Sequence, residues 1–269
     1  MDVKKVLNVS QEIEPYVGAD PMSVFSRKIA QGLQEKGAEV RTFMPRYGAI
    51  NERRNQLHEV IRLSGLNIPI DDVDYPLIIK VATLQPTRLQ VYFIDNDEFF
   101  SRHSPDGVLE TESDSEVNDE RAIFFVRGVA ETVKKLRWEP SIVHAIGWFS
   151  GLVPVYIKEI YNEDPSFLSS KVVYSLTADP EIDEKFNPAF GRKLKEEGLS
   201  EEKVKALEEY THRELHKLAI DFADAIAVSS PEADPELIAY AKASGKPVLD
   251  YPGECPEATD AYYEFYKSL

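Results

Sequence analysis

What this sequence lacks narrows the reading before any motif is considered. A single cysteine, Cys255, rules out an intrachain disulfide and any cysteine cluster for zinc, and fits a reducing compartment. No Gly-x-Gly triplet occurs among the 13 glycines, so the usual dinucleotide fingerprint is missing. Basic residues are scarce: 31 Lys and Arg face 47 Asp and Glu, for a net charge of -16. Both nucleic acid and anionic lipid are gripped through phosphates neutralised by Lys and Arg, so neither is an expected partner. No apolar run approaches a membrane span, and the four-residue apolar-rich piece near the N-terminus is too short for a secretory signal core. These features point to a cytoplasmic protein that makes no use of a membrane.

What is present is ordinary globular material, with 43% hydrophobic and 29% charged residues in 269. One domain over residues 1–250 is expected, followed by an aromatic tail at 251–269 carrying Tyr262, Tyr263, Phe265 and Tyr266. Val6 to Val9 reads as a strand. Met22, Phe25, Ile29 and Leu33 recur at helical spacing before Gly37, and Glu39 to Met44 reads as a second strand, giving a parallel strand, helix, strand unit. Leu57 to Leu63, Leu77 to Leu84 and Leu89 to Ile94 are strand-like. Ser104 to Glu120 has no Lys or Arg and clustered acids, the composition of a mobile surface loop. A long helix carries Ala122, Phe125, Val129, Val133 and Leu136 on one face. Strands at Lys171 to Leu176 and Ala225 to Val228 flank a second long helix marked by Val204, Leu207, Thr211, Leu215, Leu218 and Phe222. Asp179 to Ser200 reads as loop with some helix, and Pro235 to Ala243 and Val248-Leu249 close the alternation. The fold class is therefore α/β, a doubly wound and mainly parallel sheet of about seven strands.

The chain is organised around Ser141 to Lys158, where an apolar run ends, Gly147 and Gly151 permit tight turns, and Leu152 to Ile157 begins a helix. The carboxyl edge of an open α/β sheet is where ligands bind. At the tip of this stretch, His144 to Phe149, only His144 can hold a charge near neutrality, and Trp148 offers an aromatic face suited to a sugar ring. Each has a plainer reading, a hydrogen-bonded core histidine and a core tryptophan. Glu12 and Glu14 form either a carboxylate pair or two solvated loop acids. His212, Glu214 and His216 could place two metal-ligating rings on one helix face, but no third ligand is apparent, and a solvated helix surface is the favoured reading. Ser229 and Ser230 lack a recognisable base.

Several stretches together resemble successive landmarks of the bacterial glycogen and plant starch synthases, glycosyltransferase family 5. They are Met44 to Gly48; Tyr92 to Asn96 with Phe99, Phe100 and Arg102; Asn118 to Arg121 with Phe124 and Phe125; Val143-His144 with Trp148 and Leu152 to Pro154; and Phe222 to Asp224 with Val228, Ser229 and Pro231. The resemblance implies the N-terminal Rossmann-like half of a GT-B enzyme that moves glucose from a nucleotide sugar onto an α-1,4-glucan. In the family a second domain follows and carries most of the donor site.

The resemblance also marks departures. The family's Lys-Thr-Gly-Gly-Leu loop falls on Gly18, Ala19, Asp20, Pro21 and Met22, so the lysine facing the donor phosphates is replaced by glycine, with an anion nearby. Ionisable positions around Trp148 fall on Ile146, Gly147 and Phe149, and a further His-Asn pair falls on Thr177 and Ala178. Fixed cations and amide donors that meet a leaving diphosphate are each worth ~3 kcal/mol, a hundredfold or more in rate. The reading is a non-catalytic α-glucan-binding or partner-docking protein, with Tyr16, Gly18, His144 and Trp148 at its ligand edge, no catalytic residue, no metal and no cofactor. One alternative is half of a two-chain ADP-glucose or UDP-glucose glucosyltransferase, completed by a second glycosyltransferase chain. The other is a homo-oligomeric scaffold module assembled through the aromatic tail.

Overall fold

The computed structural model describes residues 3–100, 109–113, 115–205 and 207–269. The chain runs β1 (Lys5–Ser10), α1 (Pro21–Glu35), β2 (Glu39–Pro45), α2 (Glu52–Asn55), β3 (His58–Glu59), β4 (Leu66–Ile70), β5 (Val73–Leu84), β6 (Leu89–Asp95) and α3 (Asp97–Phe100). It continues with α4 (Glu110–Ser113), α5 (Asn118–Leu136), β7 (Ile142–Ile146), α6 (Leu152–Val155), a π-helical turn at Tyr156–Ile160, β8 (Lys171–Leu176), α7 (Phe190–Glu196) and α8 (Glu201–Lys205). Last come α9 (His212–Phe222), β9 (Ala225–Val228), α10 (Pro235–Ala243), β10 (Val248–Leu249) and α11 (Thr259–Ser268).

The sheet has the order β10-β9-β8-β7-β1-β2-β6-β5-β3, with β4 added on β5. From β10 to β6 every neighbour is parallel, and β5 turns the edge antiparallel. Burial follows from this. In β7 every residue is buried, and in β1 and β8 all but the first, because helices cover both faces of a parallel sheet. Stretches of β5 instead alternate exposed and buried positions, as an antiparallel strand with one face toward water does. The sequence pattern of continuous apolar runs followed by alternating ones thus becomes two halves of one sheet. No helix among the described residues is long and apolar enough to cross a membrane.

The sheet has ten strands where about seven were expected, and three further expectations change. The segment from Leu109 to Glu120 is not a mobile surface loop where it is described: Glu110, Thr111, Asn118 and Asp119 are buried, and Glu110 accepts the Gly48 amide at 2.9 Å. Residues 104–108 and 114 of that segment, and the landmark Arg102, lie outside the described residues. The long helix expected through Val204 and Phe222 is two helices. Thr211, spaced like a core residue, instead caps α9 by accepting the Glu214 amide while the Glu214 side chain reaches back to the Thr211 amide, and Tyr210 before it is left-handed at φ 56°. Leu57 to Leu63 yields only the two-residue β3.

The aromatic tail docks on its own body. Within α11, Tyr262 and Tyr266 are fully buried, and the helix packs on α1, where Gly32 leaves room for Thr259.

Candidate functional site

In sheet order the chain runs outward from β1 through β2 on one side and from β7 through β8 and β9 on the other. The β1/β7 boundary is therefore the switch point, and a crevice is expected above its carboxyl ends. A cavity of about 480 Å³ lies there. Gln11 and Glu12 reach it from the end of β1, and Asp20, Pro21, Met22 and Phe25 from the start of α1. Thr111 and Glu112 come from α4, and Trp148 follows β7. Thr177 to Glu181 follow β8, and Ser229, Ser230 and Glu232 follow β9.

Its electrostatics are one-sided. Six carboxyl groups line it, Glu12, Asp20, Glu112, Asp179, Glu181 and Glu232, and no Lys, Arg or His side chain of the described residues joins them. The expectation that this edge lacks ionisable groups holds for the β7 turn and fails for the crevice, because the loops after β1, β8 and β9 bring in the acids. Asp20 is the N-cap of α1, with Oδ1 accepting the Met22 and Ser23 amides at 2.7 and 3.0 Å. Burial acts to raise its pKa, but hydrogen bonds from Glu12, the Ser23 amide and hydroxyl, and the Met22 amide bring it below the ordinary carboxylate value. Glu12 is the protonated partner: burial first, then the hydrogen bond and charge of Asp20 and the charge of Glu112, push it up to about 9. Glu12 and Glu14 do not pair, since Glu14 turns to Arg27 at 3.3 Å, and the alternative of two solvated loop acids fails for Glu12, which burial holds protonated.

Asp179 forms the second charged centre. Its Oδ2 lies 3.2 Å from both His212 Nδ1 and His216 Nε2, and His216 Nδ1 is 2.7 Å from the Tyr174 hydroxyl. Burial opposes ionisation of Asp179, yet the two imidazoles hold its carboxyl well below the usual carboxylate range. His212 and His216 are buried, so the solvated-surface reading of this run is overturned. No group of three or more His, Cys, Asp or Glu among the described residues is placed to hold a metal ion.

Of the four residues expected at the ligand edge, Trp148 alone lines the cavity, and it is only 5% exposed. One face stacks on His212 at 4.1 Å, which leaves little ring for a sugar. His144 lies in the core, fully buried, with Nε2 2.5 Å from Ser175 Oγ and Nδ1 2.9 Å from the Tyr266 hydroxyl. Burial pushes its pKa down to about 3, so it is a neutral structural ring. Tyr16 is buried edge-on against Phe93 at 4.8 Å, its hydroxyl pushed up to about 12 by burial. Gly18 is exposed in open space outside the cavity lining. Thr177 and Ala178, which the resemblance aligns with a His-Asn pair, do line the crevice. Gln11, Thr111 and Glu112 carried no sequence signal, since they meet only through the fold. The Ser229 hydroxyl contacts Ser175 and Tyr262 and has no base beside it.

The other landmarks of the resemblance are structural. Asp95 is buried between Lys80 at 2.8 Å and Arg46 at 3.2 Å, and Arg121, fully buried, donates to the Phe99 carbonyl and to Asn118.

The mainly parallel sheet with an acidic crevice at its switch point defines a Rossmann-like domain of GT-B type. Residues 5–246 match the starch synthase catalytic domain family, and the chain belongs to that family. Glycogen synthase of Chlorobium limicola (strain DSM 245 / NBRC 103803 / 6330) is 37% identical over 172 residues, covering 64% of this chain and 35% of the relative. That of Chlorobaculum tepidum is 38% identical with the same coverage. The chain thus matches about a third of the length of these curated relatives. The catalytic domain of starch synthase IV from Arabidopsis thaliana, solved bound to ADP and acarbose, superposes with a TM-score of 0.72 at 18% identity. The match covers 96% of this chain and 53% of that one, and at this identity it is a likeness of fold.

Proposed function

We propose that this chain is a carbohydrate-binding member of the glycogen and starch synthase family, holding an α-glucan at the switch-point crevice in a cytoplasmic setting and transferring no glucose by itself. The observation that carries the reading is the charge of the crevice, five carboxylates beside the protonated Glu12 with no lining Lys, Arg or His among the described residues. A diphosphate brought within ~4 Å of a carboxylate is repelled by about 1–4 kcal/mol per charge pair, depending on solvent exposure. A transferase needs the reverse sign at that point. A neutral glucan is not repelled, and its hydroxyls can donate charge-assisted hydrogen bonds to the acids. The relative solved with ADP and acarbose supports a ligand crevice in this fold.

Calorimetric titration with a maltooligosaccharide and with ADP-glucose tests this. The expected result is saturable heat at millimolar maltooligosaccharide and none with the nucleotide sugar. Tighter binding of ADP-glucose, or incorporation of labelled glucose into glycogen by the pure chain at a rate near that of a complete synthase, would sink it. Incorporation only on addition of a second chain would make this polypeptide the acceptor half of a two-chain transferase.

A further inference from the structure

The crevice is chemically more selective than a neutral glucan requires. Its buried lining holds two polar atoms without a partner. Gln11 is 4% exposed; its amide nitrogen donates to Thr111 Oγ1 at 3.0 Å, and its Oε1 has no partner. Thr177 is 7% exposed and its hydroxyl oxygen is also unpartnered. A buried polar atom left unpaired is destabilising, so these two atoms mark where a ligand completes the structure. Around them Glu112, Glu181 and Glu232 make no ion pair among the described residues, and Glu12 and Asp20 satisfy one another. The acids are spread around the wall and are not gathered in a metal-holding group.

A sugar hydroxyl can answer Gln11 Oε1 and the Thr177 hydroxyl but leaves the charge of the surrounding acids unbalanced. An ammonium group brings three donors, no acceptor and the charge that the wall lacks. We infer that the crevice takes an amine-bearing sugar, of the 2-amino-2-deoxyglucose class, in preference to its neutral counterpart, with the ammonium at the Gln11 Oε1 and Thr177 edge between Glu112 and Glu232. This rests on the carbohydrate reading above and names the sugar class at that same crevice.

The test titrates the full chain at about pH 6, below the range of α-amino groups, with the glucosamine tetramer, its N-acetylated form, maltotetraose and spermidine. The glucosamine tetramer is expected to bind at least ~10-fold more tightly than the other two sugars and than spermidine. Glu112→Gln and Glu232→Gln, both at exposed positions, should each weaken it severalfold without altering the melting temperature. Gln11→Met, which keeps the volume and removes the amide acceptor, should do the same. Equal affinity for maltotetraose overturns the amine preference and leaves the carbohydrate reading standing. Equal affinity for spermidine, or no response to the three variants, reduces the effect to attraction by a chain of charge -16 and overturns the site. Binding of none of the sugars removes both readings.

Discussion

Two concavities of this molecule carry many charges and differ in how those charges are closed. The smaller, about 350 Å³, is walled by Pro69 to Asp72, Arg127, Lys193, Glu196 and Glu197. There each cation has its anion. Arg127 bonds Glu197 at 2.9 Å and the Pro69 carbonyl at 2.7 Å, and Lys193 bonds Asp119 at 2.7 Å and Glu120 at 2.5 Å. The larger concavity, at the switch point, has acids facing acids and two unpartnered buried oxygens, the Gln11 carbonyl and the Thr177 hydroxyl. In the first circuit every cation is paired, although Asp119 Oδ1 is left without a partner, whereas the second leaves its acids without cations among the described residues at a cost in stability. The second pattern is the one that the proposed ligand reading rests on.

The comparison breaks first at Lys193. If the smaller concavity is structural, Lys193→Met leaves the fully buried Asp119 carboxylate uncompensated and should cost about 3–5 kcal/mol in urea denaturation, with sugar affinity at the crevice unchanged. A loss below ~1 kcal/mol would show the pair to be solvated and erase the contrast.

The second test takes the open circuit. Because the folded Glu12 pKa is raised from 4.5 to about 9, the folded chain keeps a proton that the unfolded chain releases. Its contribution is therefore fully present below pH 4.5 and lost progressively as pH rises toward 9. Glu12→Gln keeps a donor toward Asp20 and cannot ionise in either state. It should flatten the stability-pH curve across that window and be the more stable form at pH 8, by about 1–3 kcal/mol after allowing for solvent screening. Parallel curves for the two proteins would mean that Glu12 is ionised in the fold.

How far the sequence reached depends on the range of the interactions. The strands of the parallel half were legible because burial on both faces writes a continuous apolar run, as in Val6 to Val9 or Lys171 to Leu176. β4 was not, since Asn67 and Pro69 within Leu66–Ile70 read as turn residues, and Pro is admissible there only because the strand lies off the main sheet path. The break before α9 was written in Thr211 and Glu214, a capping signature hidden by Thr211 also falling at helical spacing. At the crevice, Asp20 was legible as an anion beside the cation lost at Gly18, but not as the cap of α1. Asp179 is 33 and 37 residues from the imidazoles that hold it, and no local pattern encodes such a meeting. His144 was overvalued for a related reason. The tyrosine that satisfies it, Tyr266, is 122 residues away in the tail.

The smallest expected effect separates the floor of the crevice from its rim. Beneath the unpartnered oxygens lies a closed chain of hydrogen bonds, from Tyr262 to Ser229 at 2.9 Å, Ser229 to Ser175 at 2.8 Å, Ser175 to His144, and His144 to Tyr266 at 2.9 Å. Only Ser229 of these lines the cavity. Tyr266→Phe leaves the ring packing intact and one imidazole nitrogen unpaired in a site closed to water, which should cost about 1 kcal/mol. His144 is held neutral by burial, at about 3 against 6.5, so stability tied to it is complete above pH 6.5 and lost as pH falls toward 3. The variant's deficit should therefore be constant from pH 7 to 9, the range in which the Glu12 curve still falls, and sugar affinity should not change. An affinity loss in Tyr266→Phe equal to that in a Ser229→Ala variant would instead mean that the tail helix sets the rim through this chain, and that floor and rim are one unit.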